Sequence, residues 1–279
     1  MNNAQREHLE FMHTVENVAR ENGSCISFLD KKGVAVFPAD EEFTTLWRDL
    51  AAHCQVLTFA INAPADVYAL EHIWQGQQWV VKAQTPHGIC NFKLQLAGVH
   101  NVKNALAALS CAIAAGVSPE VAAIGLSEFQ PVKGRSRAFE INFANKNITI
   151  VDDSYNANPD SMKAAVDVLS TLPRPCLLVI GDMGEVGNQG LLFHEELGHY
   201  ARIKPIDHLF CTGLASLATA NAFNTSSTQG KHFSDKAQLH EAVIASLAEV
   251  NSILIKGSRF MKMESVIEAI HQHISKEDS

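Results

Sequence analysis

Five times between residues 148 and 270 a short apolar run of strand length gives way to a longer stretch with helical spacing. The runs are 148–151, 176–180, 208–211, 231–233 and 252–255; the helical stretches are 161–169, 191–200, 214–220, 236–248 and 263–270. A chain that must form a helix between consecutive strands has few ways to bury both. Parallel pairing with right-handed crossovers is the solution that does so, and it gives a doubly wound α/β sheet. In such a sheet the strand-to-helix loops share one edge, and ligands bind outside that edge.

The loops expected at that edge are rich in polar residues. They read DDSYNANP (152–159), GDMGEVG (181–187), Thr212-Gly213 and KGSR (256–259). Asp152, Asp153, Asp182 and Glu185 are thus expected beside Lys256 and Arg259, a mixture of charges that suits a phosphorylated or zwitterionic ligand. Lys256-Gly257-Ser258 has the composition of an anion nest ahead of a helix. Simpler roles stand beside these: Asp160 or Ser161 as a helix cap, Lys256 as a solvated charge, His194 as a surface or core histidine. Asp152 and Asp153 sit too early to cap the following helix.

The first half is less regular. Leu9, Met12, Val15 and Val18 predict one helix over 7–21. Strands are expected at 33–37 and 55–60 around a helix at 43–52, and a meander at 67–73, 78–84 and 89–94, with turns at Gly76 and His87-Gly88. Helices follow at 101–115 and 119–127. His100, Asn101 and Asn104 open the first of these with planar polar groups, Asn101 being equally suited to a plain cap. Pro131 and Gly134 punctuate the chain, so the expected domains are 1–133 and 134–279, with Arg135 at the junction.

Composition excludes several classes. A net charge of -8 with no basic block argues against nucleic acid as partner. The six cysteines are widely spaced with no Cys-x-x-Cys, as in a reduced cytoplasmic protein. No apolar run approaches the length of a membrane span and no export signal is present. The Gly-x-Gly-x-x-Gly of a dinucleotide-binding dehydrogenase follows none of the strands.

The segments GVHNVKNALAA (98–108), PVKGR (131–135), DDSYNANPDSM (152–162), GDMGEVG (181–187) and KGSR (256–259), with EHLE (7–10) after Asn3, occur in one order. In that order and type the chain resembles the Mur ligase family, closest to the members that join D-alanyl-D-alanine to UDP-N-acetylmuramoyl-tripeptide. The resemblance implies a partial central ATP-binding domain followed by a Rossmann-like domain. It also implies ATP and Mg2+ as cofactors, an acyl-phosphate route and a place in peptidoglycan precursor synthesis. On this resemblance His100, Asn101 and Asn104 would surround the adenine and ribose. Arg135, Asp152, Tyr155 and Asn158 would lie on the nucleotide side, Lys256 and Arg259 near phosphate or the dipeptide carboxylate, and His8 at the metal. From its residues alone, His8 fits a surface position as well.

Two departures from the family pattern shape the expectation. No Gly-x-x-x-x-Gly-Lys-Ser/Thr loop occurs in the sequence, Lys231 after Gly230 being followed by histidine. The chain therefore looks like the C-terminal part of such an enzyme, without its UDP-binding domain and phosphate loop. It is expected to be inactive alone and prone to self-association through exposed apolar surface. Where the family often carries a lysine that helps hold magnesium, this sequence has Asn22, with Glu21 as a substitute carboxylate. The alternative function is a non-catalytic nucleotide or amino-acid binding module.

Overall fold

The computed structural model describes residues 1–75, 77–225 and 229–277. The chain folds as two compact units, Met1–Gln130 and Pro131–Ser279, the division falling three residues ahead of the expected one.

In the first unit the expected single helix is two: α1 (Leu9–Met12) and α2 (Val15–Ser24). Three-residue spacing does not register the break between them. His13 has φ 65°, Thr14 is extended, and the Thr14 Oγ1 accepts from the Asn17 N–H, which starts a new helix. The chain continues through β1 (Val34–Pro38), α3 (Thr44–Leu50), β2 (Gln55–Ala60), β3 (Val67–Gln75), β4 (Gln78–Thr85) and β5 (Gly88–Leu94). Helices α4 (Val99–Ala114) and α5 (Pro119–Glu128) complete the unit. The sheet runs β1-β2-β3-β4-β5; the first three strands are parallel and the last three form the antiparallel meander. The expected turn residue Gly76 lies outside the described residues. Val102, Ala105, Leu106 and Leu109 of α4 pack on Phe59, Val67, Val81 and Phe92, which brings the first turn of α4 to the sheet.

The second unit contains β6 (Arg137–Phe143), β7 (Lys146–Asp153), α6 (Pro159–Ser170), β8 (Cys176–Ile180), α7 (Gly190–Ile203), β9 (His208–Thr212), α8 (Ser216–Phe223), β10 (Gly230–Phe233), α9 (Lys236–Ser246), β11 (Ser252–Lys256) and α10 (Glu264–Glu277). Strand order is β10-β9-β8-β11-β7-β6. Every pair is parallel except β6–β7, so the doubly wound α/β expectation holds. Strand β6 was not anticipated. It is an edge strand with only Ile141 fully buried, and Phe139, Ile141 and Phe143 alternate with Glu140 and Asn142 so that one face meets the core. It joins β7 through Ala144 and Asn145, at φ 50° and 61°, the two left-handed positions of a tight hairpin. Strands β8 and β11 are buried at every residue.

Helix α6 starts two residues earlier than expected, and its cap is neither Asp160 nor Ser161. Asn158 Oδ1 accepts from the Ser161 N–H at 2.7 Å, and Ser161 Oγ accepts from the Asn158 N–H at 2.9 Å. Replacing Asn158 with alanine is expected to lower stability by about 1 kcal/mol, read as a lower denaturation midpoint at unchanged slope. A midpoint equal to that of the parent would show that the box contributes nothing.

Candidate functional site

The acids at the strand ends of the second unit turn inward and hold loops. Asp152 is 2% exposed. Its Oδ2 accepts from the Gly134 N–H at 2.9 Å, and its Oδ1 accepts from the Ser154 hydroxyl at 2.6 Å. Gly134, at φ 81°, meets a conformational need there, since a Cβ would come within 3.1 Å of Tyr155. Asp153 Oδ1 accepts from the backbone and hydroxyl of Ser136, and its Oδ2 from Lys256 Nζ at 2.6 Å. Lys256 is not a solvated charge: it is 3% exposed, faces Asp153 across the β11–β7 register, and also donates to the Asn156 carbonyl at 2.8 Å.

Asp182 does the same for another loop. Its carboxylate accepts from the N–H groups of Leu214, Ala215 and Ser216 at 2.8, 3.2 and 2.8 Å. Only glycine fits before them: Gly213 has φ 121°, and a Cβ would stand 2.3 Å from Asp182 Oδ1. The nest expected at 256–258 is closed by the fold itself. The Ser258 N–H donates to the Asp182 carbonyl, while its hydroxyl accepts from the Gly184 N–H and donates to the Ala157 carbonyl.

Behind this loop His194 is fully buried. Its Nε2 accepts from the Met183 N–H at 3.1 Å, which places the ring proton on Nδ1, where it donates to Thr219 Oγ1 at 2.9 Å. Burial pushes its pKa down to about 4, against the opposing pull of the Asp182 charge.

What the second unit leaves open is a cluster of two arginines and a tyrosine. The Arg135 guanidinium lies 4.1 Å from the Tyr155 ring centroid and that of Arg259 lies 5.7 Å from it. Arg259 Nη1 also donates to Glu264 Oε1 at 2.8 Å. Tyr155 is 42% exposed. Cation–π contact orients both guanidiniums and leaves their remaining N–H donors available to an anion such as phosphate or carboxylate.

In the first unit an amide ladder forms at the start of α4. Asn101 Nδ2 donates to the Ala97 carbonyl at 2.7 Å, Asn104 Nδ2 to Asn101 Oδ1 at 3.0 Å, and Asn2 Nδ2 to Asn104 Oδ1 at 2.7 Å. A carbonyl only accepts, so Ala97 sets the polarity of the whole ladder. It ends in Asn2 Oδ1, a buried acceptor without a hydrogen-bond partner among the described residues. Asn101 is no cap, since that position belongs to Gly98, and His100 Nε2 lies 3.2 Å from Asn101 Nδ2. Sequence reading missed Asn2; the doublet Asn2-Asn3 ahead of Glu7-His8 was its signal.

His8 is exposed, with φ 52°. The carboxylate that approaches Asn22 is that of Glu7, at 3.5 Å from Nδ2, whereas Glu21 is exposed. Among the described residues no group of three or more His, Cys, Asp or Glu side chains is placed to hold a metal ion.

Two profiles of one family cover most of the chain: residues 1–112 match the Mur ligase middle domain, and residues 137–259 match "Mur ligase, glutamate ligase domain". The chain belongs to the Mur ligase family. The resemblance read from the motifs is thereby borne out, as is the mixed α/β fold. Among Mur ligases, the UDP-N-acetylmuramoyl-tripeptide–D-alanyl-D-alanine ligase of Escherichia coli (strain K12) is 34% identical over 278 residues, covering 98% of this chain and 60% of that protein. Its counterpart from Bacillus subtilis (strain 168) is 31% identical, covering 95% of this chain and 57% of that one. A crystal structure of MurF from Acinetobacter baumannii superposes with a TM-score of 0.86 at 31% identity, covering 97% of this chain and 58% of that one. The chain thus spans about 60% of the length of the Mur ligases it matches. No helix among the described residues is long and apolar enough to cross a membrane.

Proposed function

We propose that this chain supplies the middle and C-terminal parts of an ATP-dependent ligase that joins D-alanyl-D-alanine to UDP-N-acetylmuramoyl-tripeptide in peptidoglycan precursor synthesis. The observation that carries the reading is the match to ligases of that one name along 98% of the chain, through both units. The chemistry needs activation, because a free carboxylate is a poor acyl donor. The γ-phosphoryl group of ATP passes to the tripeptide carboxylate, the dipeptide amine attacks the acyl phosphate, and phosphate departs as the amide forms.

On this reading the planar amides of Asn101 and Asn104, with His100 and the orphan acceptor of Asn2, fit the edge of a nucleobase. Arg135 and Arg259, oriented by Tyr155, fit the anionic groups of nucleotide or dipeptide. Asp152, Asn158 and Lys256 act through the backbone they hold rather than by touching substrate. His8 would contribute one ligand to Mg2+, with phosphate oxygens and water supplying the rest. Bound there, the ion would neutralise charge on the transferring phosphoryl group.

The test uses protein made from the whole reading frame, mixed with ATP, Mg2+, UDP-N-acetylmuramoyl-tripeptide and D-alanyl-D-alanine. Phosphate release is expected only when both substrates are present. The 279-residue chain alone, which carries no Gly-x-x-x-x-Gly-Lys-Ser/Thr, is expected to release none above a protein-free blank. Nucleotide binding by the whole protein without any dipeptide-dependent release would select the non-catalytic binding module instead.

A further inference from the structure

Three sulfur-bearing side chains of the first unit border one cavity. Met1, Cys25 and Cys111 line a pocket of about 430 Å³ together with Ile26, Leu29 and Val36. No carboxylate or imidazole lines it. Cys25 Sγ lies 3.6 Å from Met1 Sδ. Both sulfurs sit on held backbone: the Met1 nitrogen donates to the Val36 carbonyl at 2.6 Å, and Cys25 caps the C-terminus of α2. Cys111 is exposed on α4, ten residues beyond Asn101 and hence about 15 Å along the helix from the amide ladder.

The spacing of the two sulfurs has a chemical meaning. With a metal–sulfur bond of about 2.3 Å, sulfurs at this separation subtend roughly 100° at a common ion, close to tetrahedral. A thiolate and a thioether are soft donors, and soft donors select copper(I) over the hard oxygen-seeking cations. The apolar walls offer nothing to magnesium or calcium.

We propose that Cys25 and Met1 form a copper(I) site, with Cys111 as the third sulfur. On binding, the Cys25 thiol gives its proton to solvent, its thiolate takes the ion, and Met1 adds a thioether lone pair; no oxidation or reduction occurs. The other cysteines do not compete. Burial raises the thiol pKa of Cys90, Cys176 and Cys211; Cys25 and Cys54 each donate to a nearby carbonyl, of Asn22 and Ala51, but only Cys25 lines the pocket. This site is independent of the ligase reading.

The test is a titration of the reduced 279-residue chain with copper(I) under anaerobic conditions against a chromophoric chelator, repeated with silver(I) as a redox-inert probe. One tightly held equivalent is expected. Cys25→Ser is expected to weaken it by more than the roughly 10–100-fold that loss of an outer partner costs, with a smaller loss for Cys111→Ser and none for Cys54→Ser. Both pocket cysteines are exposed, so the variants keep the parent's circular dichroism. Affinity unchanged in Cys25→Ser or Cys111→Ser, or lost equally in Cys54→Ser, would overturn the proposal.

Discussion

Lys256→Met is expected to destabilise the C-terminal unit by about 3–5 kcal/mol, a large share of the roughly 5–15 kcal/mol that holds a domain folded. Methionine keeps most of the stem but removes the charge that answers Asp153. The pair is well shielded: the Lys256 side chain is 4% exposed and that of Asp153 17%, with 2.6 Å between the charged atoms. Removing one member strands the other, and the Asn156 carbonyl loses its donor as well. Urea denaturation followed by circular dichroism reads the loss. Adding Asp153→Asn to the variant is expected to recover part of it, which isolates the coupling from the cost of the substitution itself. A single variant as stable as the parent would return Lys256 to the ligand-facing role that its position in KGSR suggested.

Acid is expected to weaken the same unit through His194. The folded protein holds this ring neutral, with a pKa of about 4, against 6.5 for an ordinary histidine. Between those values the unfolded chain binds a proton that the folded one refuses, so stability rises with pH across the window. The contribution is complete above pH 6.5 and falls by about 1.4 kcal/mol per pH unit below it, reaching a loss of about 3 kcal/mol near pH 4. Burial and nearby Lys236 lower His240 as well, so its effect has the same sign. Denaturation midpoints measured from pH 7.5 to pH 4.5 are expected to fall in the parent. They should fall less steeply in His194→Gln, whose side-chain oxygen still accepts from Met183 but takes up no proton. Identical slopes would mean that another group governs the acid response.

The strand–helix alternation was legible because each buried strand is a local run of apolar residues with a helical period beside it. The rim was legible as a location and misleading as a surface. Asp152, Asp153, Asp182 and Lys256 stand where they were expected, at strand ends, yet their polar atoms are taken by loops and by one another. That outcome depends on register: Lys256 meets Asp153 across 103 residues of chain, a distance at which sequence gives no cue to who pairs with whom. Arg135, Tyr155 and Arg259 come together by the same long-range folding, and nothing in PVKGR or KGSR alone announces it. Strand β6 was legible as well, in the alternation of Phe139, Ile141 and Phe143 with Glu140 and Asn142, but that pattern spans only five residues and is overshadowed by the continuous apolar run of β7 beside it. The break at His13 escaped because Thr14 caps a helix without disturbing the spacing of its neighbours.

Strand β11 sits between β7 and β8 at the centre of its sheet, although it is the final strand to be made. A ribosome adding roughly 5–20 residues per second takes about 5–20 s to pass from the end of β7 to the end of β11. Strand β7 waits through that interval with an unpaired apolar edge, and β8 waits likewise once Ile180 has been added. A stop codon between Phe233 and Ser252 would therefore yield, in place of a slightly shorter protein, a chain missing the middle of its sheet. Such a chain is a client for chaperones and proteases, and its two open edges are sites for pairing with others of its kind.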